Sequence, residues 1–265
     1  MFAHIMDFLN QVPPDPVRLP FTSSHWPVLI ILSTYMVLIK VVGPLFMQNR
    51  KPYDLRGAIK AYNIVQILYN IVLLGWIVYF MLGPGNYNFK CISNLPLDHE
   101  FKTWERWVSY SYFFNKLMDL LETVFFVLRK KDRQISFLHV FHHVYMVYIG
   151  FMYMYYYGYG GHGLFLITFN VVVHIMMYTY YYQSSFGQDA QANLWWKKYI
   201  TLVQLLQFVI ILSHCIYILR QPDCTTSRLS ATWGSLVSVV FIILFGNFYV
   251  RAYILPKKKA KQTTR

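Results

Sequence analysis

The chain has few charged residues and few cysteines for its length, and it contains no internal repeat or low-complexity tract. Only 13% of its 265 residues are charged, whereas 56% are hydrophobic and 19% are aromatic. This composition excludes an ordinary soluble domain, because too little polar surface is available to cover one of this size. The sequence also contains no Asn-x-Ser/Thr glycosylation acceptor.

Long apolar stretches take the place of the missing charge. Stretches of about 20 apolar residues predict membrane-spanning helices. The seven predicted spans are Trp26–Phe46, Ala61–Leu82, Val108–Leu128, Phe137–Tyr157, Gly163–Tyr182, Tyr199–Leu219 and Thr232–Ile254. We expect no cleavable signal peptide, because Asp7, Asp15 and four prolines interrupt residues 1–20. The sequence predicts an all-α membrane protein with seven transmembrane helices.

The distribution of basic residues predicts how the chain lies in the membrane. Most of the 24 Lys and Arg residues fall in loops on one side, which the positive-inside rule makes cytosolic. We expect a luminal N-terminal segment 1–25, a seven-helix transmembrane domain 26–256 and a basic cytosolic tail 257–265. The cations either set orientation and attract anionic lipid, or also attract a phosphate-bearing cofactor.

Two of the three cysteines fall in the two predicted luminal loops. Cys91 follows the second span and Cys224 follows the sixth. Disulfides form in oxidising compartments, so we expect a disulfide between this pair. Cys215 lies inside the sixth span, at its predicted luminal end.

The segment FLHVFHHVYMV places three histidines, His139, His142 and His143, in an apolar helix. At 100° per residue they lie within an arc of about 100°. Intramembrane histidines mark a metal site, an acid–base or nucleophilic centre, or a structural cluster.

Four other spans also carry one polar face each. These faces hold Asn63, Gln66 and Asn70; Lys116, Asp119, Glu122 and Thr123; Asn170, His174, Met177, Tyr178 and Tyr181; and Thr201, Gln204 and Gln207. Each intramembrane charge costs about 2.5–3.5 kcal/mol, so the faces should share an interior. Most of these groups lie about 5–20 Å below the cytosolic surface, which predicts a cytosol-facing cavity. Isolated Asn, Gln and Thr also serve as contacts between membrane helices.

A single histidine box limits the chemistry. A di-iron centre needs more histidines in several boxes, although three or four ligands could hold one zinc. Cys215 lies too far from the cavity to be a nucleophile. A neutral imidazole can itself accept an acyl group. Asp119 and Glu122 could orient it or take protons, and Lys116 or Asn170 could stabilise an oxyanion.

Four segments together resemble one family. KLMDLLETVFFVLRKK, FLHVFHH, NVVVHIMMYTYY and WWKKYITLVQLLQF are similar to segments of the very-long-chain fatty acid elongases, the ELO-type 3-ketoacyl-CoA synthases of the endoplasmic reticulum. The resemblance covers residues 26–256, and the box HVFHH resembles the branch that acts on saturated and monounsaturated chains. It implies condensation of a long-chain acyl-CoA with malonyl-CoA to give 3-oxoacyl-CoA, CoA and carbon dioxide. It also implies that six helices enclose a substrate tunnel, with the first helix packed outside.

The resemblance carries over to the acidic box with one departure. The family pattern Lys-x-x-Glu-x-x-Asp-Thr appears here as Lys116, Asp119, Glu122 and Thr123, so the two carboxylates are exchanged. Charge is kept at both positions while reach changes by one methylene. The departure leaves the division of labour between the two acids open.

These considerations assign residues to roles. We expect His142 or His143 to accept the acyl group, with His142 preferred, and His174 to act as its partner. His139 and His143 could brace each other or polarise the malonyl carbonyl. Expected contacts with substrate come from the Asn, Gln, Thr, Met and Tyr residues of the polar faces and from cations that draw CoA phosphates, namely Arg129, Lys130, Lys197 and Lys198.

We expect no bound cofactor and no metal, with acyl-CoA and malonyl-CoA as substrates. Expected partners are the lipid bilayer and the reductases and dehydratase of the elongation cycle, but no nucleic acid; a homo-oligomer is left open. Two alternatives remain. The chain could be a single-metal membrane lipid enzyme that uses the HxxHH box, or a non-enzymatic seven-helix receptor or transporter.

Overall fold

Seven long helices make up most of the structure, a computed structural model that describes residues 14–187 and 195–255. The helices are α1 His25–Met47, α2 Arg56–Leu82, α3 Lys102–Leu128, α4 Phe137–Tyr157, α5 His162–Ser184, α6 Lys197–Leu219 and α7 Arg228–Ile254. No strand occurs within the described ranges. The predicted all-α class is confirmed. The predicted basic tail and the first half of the N-terminal segment lie outside the described residues.

Five of these helices are long and apolar enough to cross a membrane by length and composition. The other two are α3, which carries the charged box, and α4, which carries the histidines and many tyrosines. Their polar residues lower their apolar content, so the count of seven spans stays a prediction. The chain has the character of a multi-pass membrane protein.

Local sequence sets where several helices begin and end. Ser136 caps α4, because its side chain accepts a hydrogen bond from the backbone N–H of His139 at 3.2 Å. Gly158, with φ of 84°, ends α4 in a conformation that favours glycine. Ser227 caps α7 in the same way as Ser136 caps α4. A π-helical stretch, Leu38–Val42, interrupts α1.

Six helices form a closed ring in the order α2, α3, α4, α7, α6, α5. The first helix lies outside the ring and packs against α3 and α4. This is the arrangement that the family resemblance implied. Apolar side chains from α1, α3 and α4 form the largest buried cluster, and two smaller clusters join α2 with α3 and α5, and α4 with α6 and α7.

One end of the bundle, here the disulfide end, is tied by Cys91 and Cys224, which form a disulfide. Beside it, Glu105 is fully buried and accepts hydrogen bonds from Lys102 Nζ at 2.6 Å, from Tyr87 and from the Gly161 backbone N–H at 3.2 Å. Burial raises the pKa of Tyr87 and the nearby Glu105 carboxylate raises it further, so the phenol keeps its proton and donates.

The same cluster extends to the start of the described chain. Arg106 Nε lies 2.9 Å from Asp15 Oδ2, and Lys102 Nζ lies 3.8 Å from the same atom. Gly160, in the turn between α4 and α5, donates its N–H to Ser109 Oγ of α3 at 2.9 Å. This end of the bundle therefore contains a layer of buried, paired charges.

Candidate active site

The interior of the ring holds a cavity of about 370 Å³ that opens at the opposite end, here the basic end, beside Arg133 and Lys197. Its wall includes residues from α3, α4, α5, α6 and α7. Among the residues with predicted roles, the wall contains Glu122, His139, His142, His143, Asn170, His174, Met177, Tyr181, Lys197, Thr201, Gln204 and Gln207. The three histidines of the box and His174 from another helix therefore meet at one cavity.

A buried ion pair stands behind this wall. Lys116 Nζ lies 2.8 Å from Asp119 Oδ2, one helical turn away on α3. It also lies 3.2 Å and 3.3 Å from the two ring nitrogens of His174 on α5. Both members of the pair are nearly inaccessible to solvent, so each charge depends on the other. The pair fixes His174 at the edge of the cavity.

Every oxygen of the Asp119 carboxylate is already occupied. Besides Lys116 on Oδ2, its Oδ1 accepts hydrogen bonds from Gln66 Nε2 at 2.9 Å and from Tyr178 OH at 2.8 Å. A carboxylate with three donors is held as an anion and is a poor general base. Glu122 differs, because it lines the cavity and its Oε2 lies 3.6 Å from His143 Nε2. The two exchanged acids thus occupy different environments.

The three histidines of the box have different neighbours. His139 Nε2 lies 2.8 Å from Thr123 Oγ1, and its ring centroid lies 4.2 Å from that of His143. His142 instead packs against aromatic rings of α7, with centroids 5.4 Å from Phe241 and 6.0 Å from Phe245. His139 and His143 are therefore held by polar groups of α3, whereas His142 faces the opposite wall.

A second, apolar cavity of about 150 Å³ continues from the first toward the disulfide end. Its lining includes Gly150 and Tyr153 of α4 and Trp233 and Phe241 of α7. Three residues, Asn170, Gln207 and Phe208, line both cavities. Tyr112 OH donates to Asn170 Oδ1 at 2.9 Å. Together the two cavities form a polar chamber with an apolar extension. This arrangement fits a ligand with a polar head and a hydrocarbon tail.

Glu122, His139 and His143 form the group within the described ranges that could hold a metal ion. Their ligand atoms all lie within 4.8 Å of one another. Three protein ligands of this type suit a catalytic zinc site. The geometry of these three residues therefore also fits the single-metal alternative.

Several residues expected to touch substrate lie elsewhere. Asn63, Gln66, Asn70, Thr123 and Tyr178 are buried outside the cavity lining. Gln66, for example, accepts from Asn115 Nδ2 at 2.6 Å and donates to Asp119. The polar face of α2 points at α3, because amides pair well between neighbouring helices. Gln66 and Tyr178 bind the Asp119 carboxylate directly, whereas Thr123 contacts His139.

The four cations predicted to attract CoA lie in different environments. Of the four, only Lys197 lines the opening. Lys198 lies over the ring of Tyr199, 5.0 Å from its centroid, and Lys130 Nζ lies 3.5 Å from the carbonyl of Gln48, which follows α1. Arg129 is not in the lining either. Arg133, to which the sequence gave no role, does line the opening.

Aromatic hydroxyls are the functional side chains that sequence reasoning missed. Tyr35 contacts Thr123, Tyr62 contacts Gln66 and Tyr178, and Tyr112 contacts Asn170. The chain has 23 tyrosines, so composition alone cannot single out these three.

A ring of membrane helices around a histidine-lined cavity with an apolar extension defines an all-α membrane protein built to hold an amphipathic ligand. The chain matches the model of the family described as ELO: GNS1/SUR4 over residues 20–261. It belongs to that family.

Three relatives are similar in sequence to this protein over at least 94% of the chain. "Very long chain fatty acid elongase F" of Drosophila simulans is 49% identical over 253 residues, which is 94% of this chain and 96% of the relative. "Very long chain fatty acid elongase F" of Drosophila melanogaster is 48% identical, over 94% of this chain and 98% of the relative. "Very long chain fatty acid elongase 1" of Mus musculus is 33% identical, over 95% and 90%.

Proposed function

We propose that this protein is the condensing enzyme of fatty acid elongation, a very-long-chain 3-oxoacyl-CoA synthase. It joins a long-chain acyl-CoA to malonyl-CoA, and His142 carries the acyl group as a covalent acyl-imidazole intermediate. The family and the names of its relatives support the reaction class. The position of His142 supports the covalent route.

His142 lies where the polar and apolar cavities join. Its ring lines the polar chamber and packs on Phe241, which lines the apolar extension. A hydrocarbon chain in the extension would leave its thioester carbonyl beside this imidazole. The other two imidazoles of the box already face Thr123 and Glu122. This placement is the observation that carries the proposal.

The first half-reaction transfers the acyl group to the protein. A neutral nitrogen of His142 attacks the thioester carbon, the C–N bond forms and the C–S bond breaks. CoA leaves as a thiolate and takes up the proton lost by the imidazole. The Asn170 side-chain amide nitrogen is available to donate to the oxyanion, because Tyr112 uses only the amide oxygen. His174, held by Lys116, lies on the same wall to relay that proton.

The second half-reaction consumes malonyl-CoA. Loss of its carboxylate as carbon dioxide breaks one C–C bond and leaves an enolate of acetyl-CoA. The enolate carbon attacks the acyl-imidazole carbonyl, a new C–C bond forms and the C–N bond to His142 breaks. The imidazole is regenerated and 3-oxoacyl-CoA is released. His143, beside Glu122, is positioned to donate to the enolate oxygen.

The covalent route predicts ping-pong kinetics. Acyl-CoA alone should release one equivalent of CoA per active site before malonyl-CoA is added, and mass spectrometry should find the acyl mass on His142. His142→Gln should abolish the burst, whereas His99→Gln, in the loop before α3, should leave it intact. Active enzyme with no burst and with intersecting initial-rate plots would exclude the covalent route.

A condensation assay with acyl-CoA and malonyl-CoA, with and without a chelator, separates the rival functions. A single-metal enzyme built on Glu122, His139 and His143 would lose activity with a chelator and regain it with zinc. A receptor or transporter would release no carbon dioxide from malonyl-CoA under any condition. Condensation that is insensitive to chelator supports the proposal.

We also propose that the protein resides in the endoplasmic reticulum, with its N-terminus luminal and its basic end cytosolic. Acyl-CoA, malonyl-CoA and the reductases and dehydratase of the cycle would meet that end. The loop cations near the opening and the disulfide at the opposite end support this orientation. Protease protection of tags at both termini in microsomes tests it, and a protected C-terminal tag would contradict it.

A further inference from the structure

The outer helix α1 reaches the histidine box through two hydrogen bonds. Tyr35 OH lies 2.7 Å from Thr123 Oγ1 on α3, and Thr123 Oγ1 lies 2.8 Å from His139 Nε2 on α4. Tyr35 is 6% exposed and Thr123 is fully buried, so water does not compete for these bonds. A helix that lies outside the ring therefore contributes a polar group to the site.

The number of hydroxyl hydrogens determines the direction of these two hydrogen bonds. The Thr123 hydroxyl carries one hydrogen and can donate to only one of its two neighbours. The structure gives the Tyr35 hydroxyl no other partner within the described ranges, and a phenol is a strong donor. With Tyr35 donating, Thr123 is free to donate to His139 Nε2. His139 then carries its own proton on Nδ1, and its Nε2 is not available as a nucleophile.

The orientation of His139 reaches the other histidines. Its ring lies 4.2 Å, centroid to centroid, from that of His143, which in turn faces Glu122. A His139 ring that could rotate would loosen His143. His142 contacts His143, with ring centroids 5.7 Å apart, and also packs on Phe241 of α7. The hydrogen bonds from Tyr35 thus orient His139 directly and His143 through its contact with His139.

We propose that Tyr35 is a positioning residue of the active site, which sets the tautomer and orientation of His139 through Thr123. This inference rests on the proposed function, because it assigns His139 and His143 supporting roles in acyl transfer to His142. It makes α1 part of the catalytic apparatus and not only a membrane anchor. The competing role for Tyr35 is packing, since it also belongs to the apolar cluster with Val28, Leu32 and Ile39.

Tyr35→Phe removes the hydroxyl and leaves the packing ring in place. We expect kcat for condensation to fall about tenfold, with the KM for acyl-CoA within about twofold of wild type. The melting temperature should change little. Tyr69→Phe is the matched control. Tyr69 OH donates to the Ser111 carbonyl at 2.9 Å, between α2 and α3, and takes no part in the hydrogen bonds that link Tyr35 to His139. It should leave kcat unchanged.

Thr123 supplies a second test that does not depend on Tyr35 variants folding. Thr123→Val keeps the shape and breaks both hydrogen bonds, so kcat should fall at least as far as in Tyr35→Phe. Thr123→Ser keeps the hydroxyl and should restore most of it. Tyr35→Phe combined with Thr123→Val should be no slower than Thr123→Val alone.

Three results would overturn the inference: wild-type kcat in Tyr35→Phe, Thr123→Ser as slow as Thr123→Val, or fully additive losses in the double variant. Each is read against wild-type enzyme that condenses acyl-CoA with malonyl-CoA. Wild-type protein without that activity would instead contradict the proposed function.

Discussion

Lys116 and Asp119, one turn apart on α3, form a 2.8 Å ion pair that joins three helices inside the membrane bundle. The carboxylate also binds Gln66 of α2 and the ammonium also contacts His174 of α5. Removing one member leaves the other charge buried without a partner, which is more costly than losing the contact itself.

Asp119→Asn therefore tests this pair. We expect a loss of about 3–5 kcal/mol of stability, since the variant strands Lys116, together with a large loss of activity. The control is Asp54→Asn, which breaks the Asp54–Arg56 pair, whose side chains are 74% and 76% exposed. That change should cost less than about 0.5 kcal/mol. Thermal unfolding in detergent measures both, and equal melting temperatures would show that the buried pair is not needed for stability.

The apolar extension should set how long a chain the enzyme accepts. Gly150 lines it, and a Cβ at this position would meet only Phe113, at an ordinary 3.7 Å. Gly150→Leu should fill the extension and lower the rate with the longest substrates at least about tenfold, while shorter acyl-CoAs are still extended.

Gly75→Leu is the matched control for chain length, because nothing lies within 4 Å of a Cβ there and Gly75 is exposed on the outside of α2. Gas chromatography of the products compares the two. An unchanged product profile in Gly150→Leu would place the acyl chain elsewhere.

The opening offers a test of which cations attract CoA. Arg133 and Lys197 line it, whereas Lys198 does not. Arg133→Gln and Lys197→Gln should each raise the KM for acyl-CoA about two- to fivefold, with a smaller effect at high salt. Lys198→Gln, one residue away, should leave KM near the wild-type value. Equal effects at Lys197 and Lys198 would point to diffuse attraction by the whole basic end.

The disulfide should contribute to stability through the long stretch it closes. Cys91 and Cys224 are 133 residues apart in sequence, so the link closes a loop of about half of the unfolded chain. Cys91→Ser should cost about 2–4 kcal/mol and abolish the effect of a reductant on the melting temperature. Cys215→Ala, which changes the buried free cysteine, should retain that effect. A reductant that leaves wild type unchanged would contradict this expectation.

Much of the fold follows from the sequence. The bounds of the predicted spans match those of the helices to within six residues, and Phe137–Tyr157 has the same bounds in both. Apolar runs and capping residues determine locally where helices form, so the helices can be predicted from the sequence. The convergence of α3, α4 and α5 on one cavity was also predicted, because intramembrane charges and histidines need a shared interior.

The partner of each polar group could not be predicted. The amides of α2 and the residues of the α3 box share the same periodicity, yet Gln66 binds Asp119 while Glu122 lines the cavity. Helix rotation about its own axis decides between these fates, and it depends on packing between helices distant in sequence. Tyr35 illustrates the same limit, since α1 has no polar face that points to Thr123.

The buried, paired charges at the disulfide end oppose passage of an acyl chain through that end of the described bundle. With Glu105 and Lys102 buried there and Gly160 bonded to Ser109, an acyl chain that entered tail first from the basic end would leave by the same end. We therefore expect elongation to be distributive: each product leaves, is processed elsewhere and competes afresh for re-entry. Labelled acyl-CoA chased with excess unlabelled substrate after one turnover should yield label in singly extended product only.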